Sequence, residues 1–172
     1  MKRGEVIVEG DRTTIIFQRT IQHSIDRVWE AITNPEDLSA WLVQSARVDA
    51  RVGGRIEYVS TPTPFVWTGQ ILVWDPPRVF EHELNVDPQP QLAPHLLSAE
   101  RTIARWELTA QGASTLLTLS YRGFSKPTAT GFAPGTHAFL ERLDAHLQGA
   151  PLPDWTQRFE ELRAEYPAWG PG

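Results

Sequence analysis

The chain has 172 residues, 41% of them apolar, and a formal net charge of −5, which suits one domain with a sizeable core. It contains no Cys, which excludes disulfides, thiolate nucleophiles and Cys-based metal sites. No basic stripe or Lys/Arg run occurs, which argues against a nucleic-acid partner.

The opening residues, MKRGEVIVEG, lack an apolar signal core, and no apolar run approaches the ~18 residues of a membrane span. A cytoplasmic protein without a membrane partner is therefore expected. Seven Trp are many for this length, so some of them are expected to line a cavity or cover an edge.

In chain order, residues 6–8 read as a short strand, Gly10-Asp11 as a turn, and residues 13–21 as an alternating strand. Ser24 is placed to cap a helix opening near Ile25, with Val28, Trp29 and Ile32 on one face. Asn34-Pro35 stops it, because the residue before Pro is pushed out of the helical region. Residues 36–41 make a second, very short helix. Residues 46–50 read as a weak strand, and Gly53-Gly54 as a tight turn into a strand over 55–60. That glycine pair lacks the helix that would receive a phosphate. Pro62 and Pro64 break the chain. Strands follow over 66–74 and 78–86, with Asp75-Pro76-Pro77 turning between them, then a Pro-rich loop over 87–98. Strands over 101–109 and 115–122 flank the Gln111-Gly112 turn.

A loop is expected over 123–134 and a helix over 135–147, whose Phe139, Leu140, Leu143 and Leu147 recur at helical spacing. Gly149, Pro151 and Pro153 end it. Asp154 can cap one more helix over 155–165. On that helix Trp155, Phe159, Leu162 and Tyr166 form a stripe. The stripe should act as a strap on the body of the domain, near the first helices, or else meet a second copy of the chain in a homodimer. The order of elements predicts an α+β fold: a curved antiparallel sheet wrapped around a long C-terminal helix, with two short helices after the first long strand.

These pieces together resemble the START-like, helix-grip superfamily, and within it the AHSA type, named after an activator of the heat-shock-protein-ninety ATPase. The likeness rests on Arg19-Thr20-Ile21, Val28-Trp29-Glu30-Ala31-Ile32-Thr33, Pro35-Glu36, Trp41-Leu42 and Val52-Gly53-Gly54. Gly69 ahead of Asp75-Pro76-Pro77-Arg78, Arg105-Trp106-Glu107-Leu108, and the helix from His137 through Leu140, Leu143 and Leu147 to Gly149 complete it. It runs over residues 13–149, so 1–149 is expected to be the domain and 150–172 a helical extension packed on it. The resemblance implies a hydrophobic ligand held between sheet and long helix. Related proteins often carry an aromatic residue at the position of Thr136 and His at that of Tyr121, and the chain departs from both.

Strand parity puts Phe80, His82 and Leu84 on one face, Ala104, Trp106 and Leu108 on one face, and Leu117, Leu119 and Tyr121 on another, all inward by hydrophobicity. Glu57, Glu81, Glu83 and Glu107 should face solvent. A cavity with a few convergent polar groups is the pattern of a small-molecule site; core filling with satisfied polar tips gives the same pattern. The candidate ligand-binding residues are Trp41, Tyr58, Trp67, His82, Trp106, Tyr121 and His137. For His137, with Glu141 four residues on, a solvated helix-surface pair is the plainer reading. His146 is not at metal-ligand spacing, and no H-E-x-x-H or G-x-S-x-G motif occurs. No catalytic residue, metal or cofactor is assigned.

The leading expectation is binding of a small hydrophobic molecule without catalysis. The rivals are an enzyme of polyketide cyclase or dehydratase type using His82, Tyr121 or a cavity carboxylate, and an interaction module working on a chaperone or another protein.

Overall fold

The computed structural model describes residues 2–60, 66–87 and 100–169. The Pro62/Pro64 break and nearly all of the predicted 87–98 loop lie outside the described residues. In order the elements are β1 (Glu5–Glu9), β2 (Arg12–Ile21), α1 (Ile25–Thr33), α2 (Pro35–Trp41), β3 (Ser45–Val48) and β4 (Arg55–Val59). Then come β5 (Val66–Asp75), β6 (Val79–Glu83), β7 (Asn85–Asp87), β8 (Ile103–Gln111), β9 (Ser114–Ser125), α3 (Lys126–Gln148) and α4 (Trp155–Leu162). A 3-10 turn, Arg163–Glu165, follows.

All strand pairings are antiparallel, in the order β1-β2-β9-β8-β6-β5-β4-β3, with β7 added on β5. The single strand expected over 78–86 is two, because the chain changes partner at Leu84, whose N–H goes to Thr102 O at 2.8 Å. Strand β5 serves both parts: its first half pairs β4 and β7, its second half pairs β6. Gly69 sits at that switch, where an added Cβ would lie 1.7 Å from Glu83 O, so no other residue fits.

Asn34 joins the first two helices. Its N–H closes α1 on Glu30 O, and its Oδ1 accepts from Glu36 N at 2.8 Å to open α2, with Pro35 in the first turn. Ser24 caps α1 as expected. Trp29 is buried, with its ring 5.2 Å from Trp74 and 6.4 Å from Phe80.

The long helix corrects the sequence reading. It begins at Lys126, nine residues before the expected start, and Pro134 lies inside it. Gly131, Pro134 and Gly135 argue for a loop on propensity alone. Burial of Ala129, Ala133, Pro134 and Thr136 overrides that preference. Ser125 Oγ caps the start, Pro127 occupies the first turn, and Gly149 ends the helix with φ 66°.

The tail also lies elsewhere than expected. It crosses the long helix, not the first two. Trp155 Nε1 donates to Gly135 O at 3.1 Å, its ring stacks on Phe159 at 4.9 Å, and Arg158 pairs with Glu141 at 2.7 Å. Tyr166 Oη accepts from Gly4 N at 2.8 Å. Leu162 and Tyr166 are buried. At Gly135 an added Cβ would lie 3.3 Å from Trp155 Cζ2, so the glycine admits the tail.

Candidate functional site

Register builds the floor of the site. In adjacent strands His82 lies opposite Ala104, and Ala104 opposite Tyr121, making one row across β6, β8 and β9. The next row is Phe80, Trp106 and Leu119. Farther out Tyr58 of β4 faces Trp67 of β5. Because successive side chains alternate faces, all of these side chains project to the concave side, where each is buried. The glutamates fall on the other side, where Glu81 pairs with Arg105 at 3.0 Å and Arg122 at 3.1 Å.

Helices α2, α3 and α4 supply the roof. Between roof and floor lies a cavity of about 460 Å³. Trp41, Tyr58, Trp67, His82, Trp106 and Tyr121 all line it, with Phe132, Thr136 and Phe139 of α3 above. Trp155, Thr156, Phe159 and Glu160 of α4 complete the lining, and Thr156 and Glu160 are exposed, so the mouth opens beside α4. Among the described residues Glu160 is the one charged side chain of the lining.

The polar tips inside are few and held neutral. His82 is 2% exposed, and its Nδ1 lies 2.8 Å from Glu83 O. A carbonyl oxygen can only accept, so Nδ1 carries the proton and Nε2 keeps its lone pair. Burial pushes the imidazolium pKa down to about 4. Burial pushes the hydroxyls of Tyr58 and Tyr121 upward, partly offset at Tyr121 by a hydrogen bond with Thr136. Trp41 Nε1 donates to Ala31 O at 2.8 Å. Trp67 Nε1 is buried and has no hydrogen-bond partner among the described residues.

His137 is not with the others. It is 1% exposed, and its Nδ1 lies 2.8 Å from Tyr166 Oη, with Phe17 edge-on at 6.2 Å. It is not a solvated surface pair either, although Nε2 lies 3.6 Å from Glu141. Burial and then the charge of Arg19 push its pKa down to about 4. The residues that sequence reasoning missed include Thr128, Gly131 and Phe132, read as loop, Thr136 and Phe139, read as part of the long helix, and Trp155, Thr156, Phe159 and Glu160, read as part of the tail. The signal for the first group was Ser125 with Pro127 two residues on, a helix opening placed directly after a strand.

Among the described residues no three His, Asp or Glu stand together so as to hold a metal ion. No described helix is long and apolar enough to cross a membrane.

A curved antiparallel sheet closed by one long helix, with an apolar cavity between them, defines the helix-grip, START-like class. The family model for "Activator of Hsp90 ATPase homolog 1-like protein" matches residues 22–148, and the chain belongs to that family. No curated protein matches the chain. Among solved structures, CalU16 from Micromonospora echinospora is similar at 22% identity and TM-score 0.68, covering 95% of this chain and 90% of that one. The Mll3558 protein from Rhizobium loti shares 26% identity at TM-score 0.63, covering 83% and 99%. DynU16, from the dynemicin biosynthetic locus, shares 18% identity at TM-score 0.66, covering 85% of this chain and 51% of that one.

Proposed function

We propose that the chain binds a small hydrophobic molecule in the cavity between sheet and long helix, with α4 of the C-terminal extension at the cavity mouth. The observation that carries this is the aromatic-walled void of about 460 Å³, within the usual range of ligand pockets. Membership of the AHSA type and the similarity to proteins such as DynU16 support it. Trp41, Tyr58, Trp67, His82, Trp106 and Tyr121 would contact the ligand, and His137 would support the roof from behind.

Catalysis on a hydrophobic cyclic substrate is the second reading, favoured by the His82 lone pair in an apolar cavity. Its weakness is basicity. A group pushed down to about 4 is a poor match for proton abstraction near neutral pH. The partner-module reading draws less support, because the large exposed apolar side chains among the described residues are Ile7, Val8, Val52 and Leu152, of which only Ile7 and Val8 are neighbours. Native mass spectrometry of the purified protein tests the proposal. The expected result is a mass increment from a retained apolar molecule, released intact on denaturation. A ligand converted to a different mass during incubation would favour the enzyme. A protein that neither retains nor takes up any apolar compound would remove the proposal.

A further inference from the structure

His82 stands on β6, near the middle of the sheet, with the Phe80 and Tyr58 rings at 4.8 and 6.2 Å. Its Nδ1–H goes to Glu83 O at 2.8 Å, so Nδ1 is turned toward its own strand and Nε2 away from it, on the concave side. Nε2 carries a lone pair and no hydrogen, and can only accept. It has no hydrogen-bond partner among the described residues. Nor is it shut in. The unpartnered side-chain polar atoms sealed inside the described residues are Arg19 Nε and Nη2, Trp67 Nε1 and His137 Nε2, and His82 Nε2 is not one of them. Because His82 is only 2% exposed and lines the cavity, the surface left open on Nε2 faces the cavity. Ala104, opposite it in the neighbouring strand, adds only a methyl group to the floor there.

A buried acceptor calls for a donor. Two tryptophans of the lining already give their N–H groups to backbone carbonyls, Trp41 to Ala31 O and Trp155 to Gly135 O. Among the described residues the cavity has no charged side chain apart from Glu160 at the mouth, so a charge taken inside would meet no counter-charge. Resting on the binding reading above, we infer that the ligand is uncharged and carries a hydroxyl group, which donates its hydrogen to His82 Nε2. The aromatic walls take the apolar remainder of the molecule. The imidazole decides which end of it lies on the floor. Burial keeps the ring neutral, and so keeps that lone pair available.

Three naphthalenes test this. 2-Naphthol has an O–H to give, 2-methoxynaphthalene keeps the oxygen without the hydrogen, and naphthalene has neither. The hydrophobic effect alone ranks 2-naphthol last. Calorimetric titration of the parent should instead show 2-naphthol binding about three- to tenfold tighter than 2-methoxynaphthalene, the worth of one net hydrogen bond. In His82→Phe, which keeps a ring and removes the acceptor, that preference should vanish or reverse. In the parent, the nitrogen resonance of His82 Nε2 should move upfield with 2-naphthol and not with 2-methoxynaphthalene, a readout that needs no variant. The anionic 2-naphthoate should bind at least about tenfold more weakly than 2-naphthol. Equal or tighter binding of 2-methoxynaphthalene overturns the inference while leaving the binding reading in place. So does a preference unchanged in His82→Phe, an unmoved nitrogen resonance, or a carboxylate that binds as well as the phenol. Binding of none of the three neutral compounds overturns the binding reading itself, and this inference with it.

Discussion

Two buried histidines make the fold acid-labile in a window where its carboxylates are not yet involved. His82 and His137 are almost fully buried, and both are pushed down to about 4. In the unfolded chain each returns to about 6.5. The unfolded state therefore binds more protons between those values, and stability present above pH 6.5 is lost as the pH falls towards 4. A tenfold difference in proton affinity between folded and unfolded chain is worth about 1.36 kcal/mol. At pH 5 the loss is about 2 kcal/mol for each histidine, or about 4 kcal/mol for the pair, against a typical total of about 5–15 kcal/mol. With a urea slope of about 2 kcal/mol/M, the midpoint should fall by about 2 M between pH 7.5 and pH 5. The carboxyls of Asp37, held down by Arg27 and His146, and Glu141, held down by Arg158, lie below their ordinary range, so they contribute only at lower pH. His82→Gln and His137→Gln should each remove about half of the pH dependence. Urea unfolding followed by Trp fluorescence at the two pH values measures it. A midpoint that moves by less than about 0.5 M, or substitutions that leave the dependence intact, would refute the reasoning from burial.

Three other outcomes follow from the packing. Trp29→Ala should cost on the order of 3–5 kcal/mol, because the ring is buried against Trp74 and Phe80; urea unfolding checks it, and a variant as stable as the parent would show the ring to be dispensable. Gly131→Leu should weaken uptake of an apolar dye several-fold without lowering the melting temperature, since Gly131 lines the cavity and an added Cβ there meets nothing within 4 Å; unchanged dye binding would mean that the new side chain turns outward. Truncation after Gly149 should lower the melting temperature at unchanged sedimentation mass, because Leu162 and Tyr166 lie buried in the same chain; a dimer that became a monomer would instead assign the stripe to a second copy.

Apart from the break at Leu84, the β-strands and the first two helices were legible because their signals are local. Alternation, the Ser24 cap and the Asn34-Pro35 boundary each decide a few residues without help from elsewhere. The floor was legible for the same reason: with strand parity known, His82, Trp106 and Tyr121 must share a face, and register then sets them in adjacent rows. The first half of α3 was not legible. Gly131, Pro134 and Gly135 are helix-unfavourable one by one, and the burial that outweighs them exists only once the sheet is in place. His137 failed for a related reason. The helical pattern placed Glu141 beside it correctly, but Tyr166, which covers it, comes from the tail. Likewise the stripe in the tail was plain, while the surface it covers was not, because spacing along a helix says nothing about what lies opposite.

The origin of the void is itself an argument about use. Where α3 crosses the sheet the chain carries small residues: Gly131, Gly135 and Thr136 on the helix, and Ala104 between His82 and Tyr121 on the floor. Bulk was not lacking, since the chain has seven Trp to place. Protein cores are ordinarily filled to crystal-like density, and a void deprives its walls of dispersion contacts. Here the walls are Trp, Tyr and Phe, the side chains with the most contact to lose. A fold selected for stability alone could begin to fill such a gap at Gly131, where a Cβ meets no neighbour. On the binding reading the open gap has a reason. An apolar guest restores the missing contacts, so the stability forgone by the empty protein reappears as affinity for whatever fills it.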